Sequence, residues 1–96
     1  MKDENTEKCE KILRHYGAEK QRKVLAEECA ELIQAIMKLE RKPDQEAWAH
    51  FIEEMADVEI MLEQMKIDLS AKDFGRFLIT TSRKLNRQLD RIAKGE

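Results

Sequence analysis

Proline and glycine are almost missing from this sequence, with one Pro and three Gly in 96 residues. That scarcity argues against a β-sandwich built on frequent tight turns and against a glycine-rich phosphate loop. Aromatic residues are few as well, at 5%. The two cysteines, Cys9 and Cys29, do not make a disulfide framework. Cys29 falls on an apolar helix face and is expected to be a small core residue. No apolar run reaches membrane-spanning length and no signal peptide is visible, so a soluble, reducing, cytoplasmic setting without a membrane partner is expected.

What is present is charge, in 40% of the residues, beside 42% hydrophobic residues at regular spacing. The regularity argues against disorder. One domain, residues 1–96, is expected, and a helical chain this short gains much from oligomerisation. A net charge of −2 does not suit a nucleic-acid polymer as partner. The charge is unevenly placed: residues 70–96 carry +4 and residues 1–69 carry −6.

The spacing predicts four helices, over roughly 4–16, 19–41, 43–68 and 71–94. Gly17 is placed to end the first, and Pro43 to open the third near its first turn. Ser70-x-x-Asp73 resembles a capping box for the fourth. Gly75 and the run Thr80-Thr81-Ser82 weaken that last helix and predict a kink or break.

The faces of the second and third helices carry the chemistry. With about 100° of turn per residue, Glu28 falls inside the apolar arc formed by Leu25, Cys29, Leu32, Ile36 and Leu39, and Glu31 falls at its edge. Glu54 falls inside the arc of Ala47, Phe51, Met55, Val58, Leu62 and Met65, and Asp57 takes the matching edge position. In a chain with 20 acids, either Glu-x-x-acid pair alone reads as a solvated face. Both together, inside two core stripes, do not. No Lys or Arg lies near the centre of either stripe, and a buried unpaired carboxylate costs several kcal/mol. A bound cation is the economical explanation. Oxygen ligands with no His or Cys favour Mg²⁺ or Mn²⁺ over zinc. There is no Glu-x-x-His, so the di-iron arrangement of ferritin-like bundles does not fit. His50, one turn before Glu54, suits a supporting or substrate contact, or simply a core edge.

These residues resemble a known family. Leu25-Ala26-Glu27-Glu28-Cys29-Ala30-Glu31-Leu32 and Glu53-Glu54-Met55-Ala56-Asp57-Val58 are similar to the EExxE and ExxD motifs of the all-α nucleoside triphosphate pyrophosphohydrolases, which include the MazG-like enzymes and the dimeric dUTPases. The 22 residues between Glu31 and Glu54 are within the family's range, and residues 50–64 are especially similar to the compact MazG-like proteins.

The resemblance implies an all-α, four-helix MazG-like bundle assembled as a dimer or tetramer. It implies Mg²⁺, with Mn²⁺ as a substitute, held by Glu28, Glu31, Glu54 and Asp57, with Glu27 orienting the water or holding a further ion. It implies cleavage of a (d)NTP between the α and β phosphates to (d)NMP and pyrophosphate, in a nucleotide-pool housekeeping role. The family often has phosphate-binding cations on its last helix; here Lys84, Arg87 and Arg91 share one flank. Gln21 and Lys38 are further candidate substrate contacts. Trp48 and Phe51 suit base stacking or, more ordinarily, packing. The rival is a non-enzymatic helical dimeric regulatory module that keeps the fold.

Overall fold

A computed structural model describes residues 3–96, which form four α-helices: α1 (Glu4–Tyr16), α2 (Ala18–Arg41), α3 (Gln45–Asp68) and α4 (Ala71–Ala93). There is no strand among the described residues. Short polar signals set the boundaries. Asp3 caps α1 by accepting the Thr6 N–H at 2.8 Å. Gly17, at φ 88°, ends α1 and starts α2 in a backbone region that side chains disfavour. Pro43 does not open α3, contrary to expectation. Asp44 caps it instead, accepting the Ala47 N–H at 2.8 Å, and Pro43 stays in the linker. Ser70 caps α4 through the Asp73 N–H at 3.1 Å, as its capping box predicts.

The helix pair α2–α3 is the centre of the fold, and α1 lies against both. A three-residue linker makes α2 and α3 antiparallel, and one buried side-chain contact ties them together far from that linker. Gln21 Nε2 donates to Gln64 Oε1 at 2.8 Å, and Gln64 Nε2 points to the Met61 sulfur at 3.7 Å. Gln21 is 4% exposed and Gln64 1% exposed, so neither amide has water as a substitute partner. The rest of the core is small: Cys9 and Leu13 from α1, Ala35 and Leu39 from α2, Ala47 and Met61 from α3. Truncating Gln64 to Ala strands Gln21 and lowers stability by about 1–3 kcal/mol, whereas Leu at both positions comes out nearly neutral. Chemical denaturation of the single and double variants measures the difference.

Two core expectations are corrected. Cys29 is exposed and Cys9 is the buried thiol. The arc computed for α2 was wider than the surface its neighbours cover, since only α1 and α3 pack on it. Residues at the far side of that arc, Cys29 and Ile36, stay uncovered, as do Met55 and Leu62 on α3.

The fourth helix departs from a closed bundle. It runs without a break through Gly75 and Thr80–Ser82, and Thr81 Oγ1 donates to the Phe77 carbonyl at 2.9 Å within the helix. It touches the rest of the chain only near its start, where Lys66 lies over the Phe77 ring at 5.5 Å. None of its residues is buried. Leu85 is 57% exposed and Ile92 68%, although Phe74, Leu78, Leu85, Leu89 and Ile92 make one apolar stripe. No helix among the described residues is long and apolar enough to cross a membrane.

Candidate metal centre

The pairing of Gln21 with Gln64 marks the register of the two helices and so locates the acids. Seven residues along α2 from Gln21 is Glu28, and seven residues back along α3 from Gln64 is Asp57. Three residues further on each helix are Glu31 and Glu54. Antiparallel pairing therefore brings the two acidic motifs face to face.

The resulting cluster is tight. One carboxylate oxygen each from Glu28, Glu54 and Asp57 lie within 4.8 Å of one another. Glu54 is only 9% exposed and Glu28 is half-buried. An oxygen on each, Glu28 Oε2 and Glu54 Oε2, is enclosed with no hydrogen-bond partner. Glu31, an exposed residue, is close enough to act on both glutamates.

The electrostatics follow from that crowding. Burial raises the pKa of Glu28 above its usual 4.5, and Glu31, Asp57 and Glu54 add repulsion. Burial also raises Glu54, with Glu31 and Asp57 adding to it and His50 opposing. His50 Nε2 approaches Glu54 Oε1 at 3.3 Å, while its Nδ1 is enclosed without a partner. No lysine or arginine acts on either glutamate. Several carboxylates converge, two with an unpartnered enclosed oxygen, and among the described residues only His50 opposes their repulsion. Their all-oxygen chemistry fits a hard divalent cation such as Mg²⁺.

The other candidates are placed as follows. Glu27 is exposed, outside the cluster of three, in keeping with its position off the apolar arc. Gln21 is committed to Gln64. Lys38 is exposed on α2, two turns beyond Glu31. Lys84, Arg87 and Arg91 are exposed on α4. That helix does not fold back onto α2–α3, so one chain does not bring these cations to the acids. Trp48 is half-exposed and meets the Phe51 ring edge-on at 5.9 Å. Gln64 escaped the sequence reading. The available signal was a second glutamine on a stripe facing Gln21. Protein-family models, characterised proteins and solved structures give no match to this chain.

Proposed function

We propose that the protein is a Mg²⁺-dependent nucleoside triphosphate pyrophosphohydrolase. The observation that carries this reading is the convergence of Glu28, Glu54 and Asp57, with partnerless enclosed oxygens on both glutamates. Glu31, on the same face of α2 as Glu28, completes the ligand set. The similarity of the two motifs to those of the MazG-like enzymes supplies the substrate class. Held by these carboxylates, a divalent ion would offset their charge and that of the incoming phosphates and would make a bound water more acidic.

The chain's own residues then have distinct tasks. Glu28, Glu31, Glu54 and Asp57 bind and hold the reaction centre in place. Glu27, at the rim, orients the attacking water and takes its proton. The water oxygen bonds to the α-phosphorus, the bond from that phosphorus to the αβ-bridging oxygen breaks, and the bridging oxygen leaves with pyrophosphate. His50, in contact with Glu54, holds that carboxylate in place.

Self-association belongs to the same reading. The apolar stripe of α4 has no cover within the chain, and neither do Ile52 and Met55 on α3. The charges are complementary: residues 70–96 are basic and residues 1–69 acidic. A second copy whose α4 lies over α2–α3 covers both faces and carries Lys84 and Arg87 toward the phosphates, as a dimer or tetramer. Burying one leucine contributes about 1.5–3 kcal/mol. The double variant Leu85→Asp/Leu89→Asp is therefore expected to elute as a monomer in size-exclusion chromatography with light scattering. An unchanged mass rejects this arrangement.

Activity is tested by incubating the protein with a panel of dNTPs and NTPs plus Mg²⁺ and identifying the products. Monophosphate plus pyrophosphate is the expected outcome. No turnover of any nucleotide, with no effect of Mg²⁺ on melting, rejects the enzyme in favour of a helical interaction module.

A further inference from the structure

One stripe of α2 changes character along its length. Glu27, Glu31, Gln34, Lys38 and Arg41 follow at intervals of three or four residues and so share a face. Its first half is acidic and its last half basic. The basic half borders a groove of about 370 Å³, lined by Ile33, Gln34, Met37, Lys38 and Arg41 from α2 and by His50 from α3. His50 links the two halves, since its ring lines the groove while its Nε2 faces Glu54 Oε1 at 3.3 Å.

The two cations lie in the last turn of α2, where they complement the helix C-terminus, and neither is paired with a carboxylate. Among the described residues no carboxylate lies within ion-pairing distance of Lys38 or Arg41, although most other ion pairs are formed by neighbours on one helix. Both side chains are exposed, so neither is needed for the core. At 1.5 Å of rise per residue, Lys38 stands about 10 Å along the axis from Glu31. That spacing suits an extended triphosphate held at one end by the acids. A planar guanidinium beside a flexible ammonium is a strong combination for phosphate oxygens.

We propose that this groove is the subsite for the terminal phosphates, with Lys38 and Arg41 holding the β and γ groups that leave as pyrophosphate. The proposal rests on the reading of the acids as a metal-dependent phosphoanhydride site and gives that site a direction. The α-phosphate lies at Glu28, Glu31, Glu54 and Asp57, and the chain of phosphates runs toward the α2–α3 linker. It also assigns a role to Arg41, a residue that no motif includes.

The experiment uses inorganic pyrophosphate as the probe, with and without Mg²⁺, on the full chain and on the double variant Lys38→Ala/Arg41→Ala. Binding is followed by calorimetry, and the Mg²⁺-induced change in Tm is recorded for both proteins. The parent is expected to bind pyrophosphate at least about tenfold more tightly than the double variant, since two charge-assisted contacts are lost. Lys38→Arg is expected to retain most of the affinity. The rise in Tm with Mg²⁺ should be equal in parent and double variant. Equal pyrophosphate affinity in the two proteins, or no binding to either, overturns the subsite. A parent that prefers pyrophosphate over the variant even in EDTA, yet shows no response to Mg²⁺, keeps the groove and rejects the metal reading.

Discussion

Glu54→Gln is expected to abolish the proposed Mg²⁺-dependent pyrophosphate release, and in EDTA the same variant is expected to melt above the parent. Both effects come from one position. At metal sites, losing a partner outside the ligand set already costs roughly 10–100-fold, so losing the most buried ligand should exceed that range. The gain in metal-free stability has the opposite origin. Glu54 is enclosed, one of its oxygens has no partner, and neighbouring acids add repulsion. Its folded-state pKa lies above the usual 4.5, so between those two values the folded chain holds more protons than the unfolded chain. Stability therefore falls as pH rises through that window, and the full penalty applies above it. Glutamine carries no such penalty. The difference in Tm between variant and parent in EDTA should be small near pH 4.5 and grow toward neutrality. Thermal melts across pH, paired with a pyrophosphate assay, check both halves. A variant that still turns over, or that melts below the parent at neutral pH in EDTA, removes Glu54 from the proposed site.

The second large effect is the response of the parent to Mg²⁺. A ligand bound only by the folded state at a hundred times its Kd stabilises by about 2.7 kcal/mol. For a chain of this length that corresponds to roughly 10–20 °C in Tm. The rise should be absent in Glu54→Gln, so the two proteins exchange order: the variant is the more stable in EDTA and the parent in Mg²⁺. This crossing is difficult to obtain from surface charge alone, because screening of exposed acids by a divalent ion would stabilise both proteins alike. A flat Tm for the parent across a millimolar Mg²⁺ titration contradicts the metal reading.

Much of this was legible in the sequence, for reasons that can be assigned. Helix periodicity and capping chemistry are local, so the four helices and the caps at Ser70 and Gly17 were readable. The inward placement of Glu28 and Glu54 was readable because an acid in an apolar stripe contradicts the rest of the stripe. Their mutual distance was not readable, because it depends on how α2 slides against α3. That offset follows from the short linker and the packing of the two helices, which include a buried contact between Gln21 and Gln64, two neutral residues with no motif of their own. Cys29 was misplaced because periodicity gives the direction of a face but not how many neighbours cover it. The start of α3 was placed too early because Pro43 and Asp44 are both good helix openers, and the Asp44 carboxylate won by accepting the Ala47 N–H. Lys84, Arg87 and Arg91 show the remaining limit. Their shared flank is a local property, but what α4 packs against is not encoded within α4.

The glutamine clasp also determines what the acids can do when no cation is present. Like charges on two helices would normally relax by splaying the helices apart. Here the pair is closed by the short linker after Arg41 at one end and by Gln21–Gln64 toward the other, with the acids between them. The helices therefore cannot open without breaking a buried amide contact. Repulsion therefore stays in the folded chain, and in the proposed metal reading a cation would meet carboxylates already brought together rather than having to gather them.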